Sequence, residues 1–326
     1  MTAPQTPFDV ELERTEIVRP PTLPPDGFHR VPFEVYHSWD AASHSRLEDC
    51  RRSLAYCRYR IDNPDSEDDG KPSWVKGLRD GATLVGDAAH CGILEPDELT
   101  KRYARRPDGL NLSTKRDQSV LVELARSLGY FGDTYDALAP GPESPVILHP
   151  EVYDTAIAIR DSVWVREWGE KARRILRAAT ATEESAVATD PETGCPMKAR
   201  VDVASDRLGV LADVKTSRDA ARERFSRAIH TYGIDRQFAH YGRVYMTLGR
   251  HLPHRVVIAI ENTKPHEVGV RTINTESMAA ACDEIDALLK LYAEAVRTGH
   301  WAGYEEDPPT IGRPAWALPH DHEGEF

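Results

Sequence analysis

The chain has 326 residues, 40% hydrophobic and 29% charged, with a formal net charge of −12. That length holds one large domain or two small ones around a sizeable core. No apolar run approaches the roughly 18 residues of a bilayer span, which argues against a helical membrane protein. The start, MTAPQTPFDVELERTEIV, lacks a basic stretch followed by an apolar one. A secretory signal is therefore not expected, and the cytoplasm is the expected location. The cysteines (Cys50, Cys57, Cys91, Cys195, Cys282) are scattered with no CxxC, so neither a disulfide framework nor a zinc knuckle is expected. Acids crowd the C-terminal end, while arginines gather at 51–60, 102–106 and 218–227. A chain that is acidic overall can still hold a polyanion in a local groove and cluster acids around a metal.

Residues 1–30 carry PPTLPPDG and little periodicity, which predicts a disordered or extended arm. SHSRLEDCRRSLAYCRYRI reads as a helix that Ser43 or Ser45 can cap, with Cys50 and Cys57 on one face. DNPDSEDDGKPS is a loop. A second helix is predicted over 79–93, with Gly86 near its middle implying a close backbone approach. Residues 97–145 look helical in places but are broken by Gly and Pro, and 149–180 reads as one long or two successive helices. The period then changes: EESAVAT, KARVDVA and LGVLADVK alternate or run apolar between turn residues, predicting a three-strand antiparallel meander. Helices follow at about 219–232 and 234–249, strands at HRVVIAIEN and HEVGVRTIN, and a last amphipathic helix at about 275–297. The whole is an α/β chain: a helical N-terminal portion (36–180), an α/β core (181–300) and a mobile acidic tail (319–326).

Asp213 and Lys215 lie two apart at a strand end and so share a face. Alone, this pair reads equally as a surface ion pair. Asp202 ends the preceding strand, and a short turn would bring the two carboxylates within several ångströms. Two such carboxylates stay ionised beside a cation, and Mg²⁺, with its preference for oxygen ligands, suits them. A lysine there can position or deprotonate a water. Gln237 and Tyr241, at i and i+4, share a helix face with Ile234, Val244 and Leu248. The arginines at 218–227 read as a solvated helix face, with Arg218 and Arg222 as candidate DNA-phosphate contacts. His320 and His322 read as part of the tail.

The order GDAAH, EES, KARVD, LADVKT and YGIDRQFAHY resembles the PD-(D/E)xK nuclease superfamily, and within it the RecE-like exonucleases (exodeoxyribonuclease VIII and phage relatives). The resemblance runs over roughly 36–318, from YHSWDAASHSRLEDC to RPAWAL. It implies a restriction-endonuclease-like core, a mixed sheet flanked by helices, over 31–318. It implies His90, Asp202 and Asp213 as metal ligands, with the backbone carbonyl of Val214 as a further one, and Lys215 as the catalytic lysine. Gln237 and Tyr241 would support the site, Tyr241 touching DNA. Of the two acids in ATEESAV, the family spacing favours Glu183, followed by Ser185, over Glu184. Some relatives bind an iron–sulfur cluster through clustered late cysteines; this chain has only Cys282 there, so no cluster is expected. The implied activity is Mg²⁺- or Mn²⁺-dependent hydrolysis of linear duplex DNA, 5′ to 3′, for recombination. A single-strand annealing partner and a ring-like homo-oligomer would accompany it. The competing readings are an endonucleolytic or single-strand-specific nuclease, and a DNA-binding protein without catalysis.

Overall fold

In the computed structural model, which describes residue 20 and residues 22–63 and 82–304, the chain enters through an edge strand, Gly27–His29 (β1). The rest of the predicted arm up to residue 19, the segment 64–81, RPAWAL and the acidic tail with His320 and His322 lie outside the described residues. A short helix, Phe33–Ser38 (α1), follows. The single helix predicted around Cys50 is two: His44–Arg52 (α2) and Leu54–Asp62 (α3). The break is chemical. Ser53 takes an extended conformation and accepts a hydrogen bond from the Tyr56 amide, so it caps a new helix and leaves the old one. Cys50 and Cys57 are both buried in the core between these helices and the sheet.

Ala82–Leu94 (α4) and Leu99–Arg102 (α5) lead into a feature the sequence does not announce. Tyr103–Arg105 (β2) pairs in parallel with Val146–Leu148 (β3), flanking Lys115–Ser127 (α6). Strands of three residues are too short to display a period of two, which is why this part reads as broken helix. Leu121, Ala125, Leu138 and Ile147 give it a small core of its own. Pro150–Trp164 (α7) and Glu170–Arg177 (α8) resolve the long helical stretch into two.

The predicted meander follows: Ala181–Thr189 (β4), Pro196–Ser205 (β5) and Val210–Ser217 (β6) pair antiparallel in that order. Helices Arg222–Thr231 (α9) and Ile234–Thr247 (α10) cross over to His254–Glu261 (β7), parallel to β6. Val268–Thr272 (β8) closes the sheet edge, and Thr275–Thr298 (α11) returns across it. The six-stranded order is β1-β4-β5-β6-β7-β8.

Each face of this mixed sheet is covered. On one side, Phe225, Phe238, Tyr245, Leu289 and Leu47 from α9, α10, α11 and α2 bury Ala199, Val201 and Leu211. On the other, Ala88, Ile93, Ile159 and Leu176 from α4, α7 and α8 bury Val203, Ala212, Val214 and Ile258. Among the described residues, no helix is long and apolar enough to cross a membrane.

Candidate active site

Two strands that part from each other create the site. β5 and β6 pair only from Val203↔Ala212 to Ser205↔Val210. Beyond that point β5 continues with β4, while β6 continues with β7 as far as Ser217↔Glu261. In the gap the Asp202 carboxylate accepts the Val214 N–H at 2.7 Å, a side chain standing in for a ladder bond.

The alternation of faces slips at this same level. Val201 and Ala204 belong to one core, yet Asp202 and Val203 between them both turn to the opposite face. β4 answers in kind. Thr182 and Glu183 both line the cleft, whereas Glu184 points through the sheet to the Tyr245 hydroxyl at 2.8 Å and to Arg250. Glu183 sits at φ 50, a left-handed conformation that costs a non-glycine residue on the order of 1–3 kcal/mol. Strain of that kind persists where surrounding structure holds it. Here Arg200 does so, its Nε 2.6 Å from Glu183 Oε2 and its Nη1 donating to Ser185 Oγ and the Val31 carbonyl.

α4 delivers His90 to this pair of acids. Its Nε2 lies 2.9 Å from Asp202 Oδ2 and its Nδ1 3.4 Å from Glu183 Oε1. Ligand atoms of His90, Glu183 and Asp202 all lie within 4.8 Å of one another. One turn before His90, Gly86 meets β6 closely: a Cβ there would lie 3.2 Å from Thr216 Oγ1.

A second group sits beside the first. Lys215 Nζ is 2.6 Å from Asp213 Oδ2. Gln237 donates to Asp213 Oδ1 at 2.8 Å and to the Tyr241 hydroxyl at 3.0 Å, so the i, i+4 pair on α10 reaches the strand end. Asp213 thus engages Lys215 and Gln237 rather than joining the three-residue group. The cause is its face: Val210, Ala212 and Val214 turn to the α4 side, leaving Asp213 toward α10. Glu183 stands as the third member. Arg218 and Arg222 are exposed and lie outside the lining of the cleft.

The electrostatics follow from burial. Burial works against the His90 imidazolium, but the Asp202 and Glu183 charges prevail and push it up to about 9. Burial, then the neighbouring Asp202 charge, raises Glu183 above the usual carboxylate range, while burial pushes Asp213 up to about 6 against the pull of Lys215. Burial opposes the Lys215 ammonium, yet Asp213 and Asp202 hold its affinity for the proton above the ordinary lysine value. The donor set fits a divalent cation. Two carboxylates and an imidazole converge, and the mutual repulsion that raises Glu183 is what a cation would relieve. A nitrogen among the oxygens is compatible with Mn²⁺ as well as Mg²⁺.

Two cations escaped the sequence reading. Arg200 and Lys198 precede Asp202 by two and four residues in KARVD, and the period of two places them on its face. Lys198 is only 5% exposed, and its ammonium donates to the carbonyls of Tyr36, His37 and Trp39. His90, Glu183, Asp202, Lys198, Arg200 and Lys215 line one cleft of about 2040 Å³, to which residues from 30–49, 101–103 and 142–146 also contribute.

Residues 70–308 match a family described as "PDDEXK-like domain of unknown function (DUF3799)". The chain belongs to this PDDEXK-like family. The match places it in the PD-(D/E)xK superfamily, and the mixed sheet with helices on both faces is that fold. A crystal structure of a protein named "Putative exonuclease" from Eubacterium rectale is similar over 88% of this chain and 96% of its own, at 12% identity and a TM-score of 0.51. That likeness is one of fold. No curated protein matches the sequence.

Proposed function

We propose that this PDDEXK-like chain is a metal-dependent DNA exonuclease of the RecE-like kind, which resects linear duplex ends 5′ to 3′. The observation that carries the reading is the His90–Glu183–Asp202 group set beside Asp213, Lys215, Gln237 and Tyr241 at the fork between β5 and β6. His90, Glu183 and Asp202 would hold Mg²⁺ or Mn²⁺, with the Val214 carbonyl, next to the amide that binds Asp202, as a further ligand. A bound divalent cation supplies Lewis acidity to a phosphodiester oxygen and acidifies a coordinated water.

The protein's own groups do the rest. Asp213 keeps Lys215 protonated, so Lys215 acts as a fixed positive charge that orients the attacking water and offsets charge on the phosphoryl oxygens. Gln237 fixes Asp213, and Tyr241 in turn fixes Gln237 while facing the cleft where DNA would lie. The cleft lining carries eight Lys and Arg against eight Asp and Glu, whereas the chain has 41 against 53. One divalent cation makes that groove net positive. By resemblance, a single-strand annealing protein would take the product strand and a ring-like homo-oligomer would thread the duplex.

Incubation with linear and covalently closed circular duplexes, in Mg²⁺ and in Mn²⁺, tests this reading. Wild type should degrade the linear form and spare the circle. Lys215→Ala should lose about 10²-fold or more of that rate while still binding DNA. Metal-dependent loss no greater than that of Lys215→Ala would sink the proposal, and nicking of the circle would shift it to an endonuclease.

A further inference from the structure

α1 is a helix with no buried residue. Phe33 is 55% exposed and Val35 44%, although an aromatic side chain normally brings its large apolar surface into a core or interface. The Phe33 ring lies 5.7 Å from the His37 ring and 6.5 Å from the Tyr36 ring, and all three line the cleft that holds Asp202. Packing accounts for Tyr36, which lies edge-on to Trp39 at 5.6 Å against a small buried cluster, but not for the exposed Phe33 and Val35. The helix is held at its C-terminal end: the buried Lys198 ammonium binds the carbonyls of Tyr36 at 3.1 Å, His37 at 3.0 Å and Trp39 at 2.6 Å. It also lies 4.9 Å from the Tyr36 ring. Just beyond, Ala42 bridges to Met197 on β5. A cation from β5 therefore helps to fix a helix whose Phe33 ring stays largely exposed in the folded chain.

The cleft selects the occupant. Its lining includes the candidate metal group, and its eight Lys and Arg balance eight Asp and Glu, so a bound divalent cation leaves it net positive and the complementary ligand is a polyanion with flat apolar faces. Base stacking on aromatic side chains supplies that match. Lys198 and Asp202 are four residues apart on one strand, about 13 Å, which corresponds to about four stacked nucleotides at roughly 3.4 Å each. We propose that Phe33, with His37 beside it, is a stacking platform for an unpaired base of the strand in the cleft, within about four nucleotides of the bond that is cut. This inference rests on the nuclease reading above and narrows its substrate to an end with an unpaired segment.

Anisotropy measurements with the full chain in EDTA, where nothing is cut, test it. The probes are a duplex with a single-stranded overhang of about six nucleotides and the same duplex with every overhang base removed. Phe33→Ala should lose about 5- to 150-fold in affinity for the first probe and nothing for the second. Phe33→Trp should retain affinity, with its added indole emission quenched on binding. Because Phe33 is more than half exposed, the melting temperature of Phe33→Ala should match wild type. Unchanged binding of Phe33→Ala to the base-bearing overhang overturns the platform; that is also the result if the face serves a protein partner. An equal loss on both probes overturns it too. Wild-type degradation of the overhang-bearing duplex in Mg²⁺ or Mn²⁺ separates the two levels. Degradation with unchanged Phe33→Ala binding overturns the platform alone, and absence of degradation overturns the nuclease reading beneath it.

Discussion

Glu183 and Glu184 are adjacent in the chain and are turned to opposite faces of the sheet by one left-handed residue. Glu183 faces His90 and Asp202 and is tied by Arg200; Glu184 is enclosed between Tyr245 and Arg250, with no access to the cleft. The same Glu→Gln change should therefore have different consequences at the two positions. Glu183→Gln removes a charge from the candidate metal group, so Mn²⁺ affinity measured by calorimetry should fall at least about tenfold, with some loss of stability from the weakened Arg200 pair. Glu184→Gln leaves that group alone but weakens charge-assisted bonds in a buried setting. It should cost about 1–3 kcal/mol in denaturant unfolding with metal affinity unchanged. The reverse pattern would assign the site acid to Glu184.

Among the elements, α4 and β6 are set by a glycine. Gly86 lies one turn before His90, and a methyl there would press on Thr216 Oγ1, which follows Lys215 directly. Alanine at this position gains up to about 1 kcal/mol of helix propensity but must displace the threonine or the helix. Gly86→Ala should therefore lower metal affinity by shifting His90, and Thr216→Ala should relieve the loss. In a double-mutant cycle the coupling should exceed about 0.5 kcal/mol; additive effects would show that the contact does not set the helix position. Gly86 was legible as a close approach because glycine in a helix interior requires a reason, though its partner was not. The meander and the Gln237/Tyr241 helix were equally legible, since periods of two and of 3.6 survive in single sequences. The fork between β5 and β6, and the slip that turns both Asp202 and Val203 to one face, were not. They depend on which strands pair, and pairing leaves no trace in KARVDVA itself. The resemblance implies Asp213 as a metal ligand; its contacts with Lys215 and Gln237 depend on the face of β6, which the motif does not record. α1 completes fewer than two turns and β2 and β3 have three residues each, too few to repeat a period, and so they stay silent.

At the scale of the whole molecule, the layers around β5 are held together by groups that titrate. His240 on α10 is fully buried, its Nε2 2.9 Å from the carbonyl oxygen of Lys198 on β5. Burial first, with the charges of His44 and Arg243 nearby and only partial opposition from backbone bonds to Lys198 and Ala42, holds its ring down to about 4. The folded chain therefore keeps His240 neutral where the unfolded chain, at about 6.5, takes up a proton. The sign follows: this contribution is complete above pH 6.5 and is lost as pH falls toward 4, up to about 3 kcal/mol. Glu48 works in a lower window. Burial opposes its ionisation, but His44 and Arg236 hold it down to about 2, so its share is lost only below about pH 4.5. Denaturant unfolding between pH 7 and 4.5, compared between wild type and His240→Gln, isolates the histidine, because the shifted Asp213 and His90 are common to both. Wild type should lose stability with a slope approaching one proton per molecule more than His240→Gln, whose side chain does not titrate. His240→Gln should be less stable than wild type at pH 7 yet show the flatter profile. Parallel profiles would mean that the ring carries its proton in the folded state, and that β5 and α10 are held together by something other than a neutral imidazole.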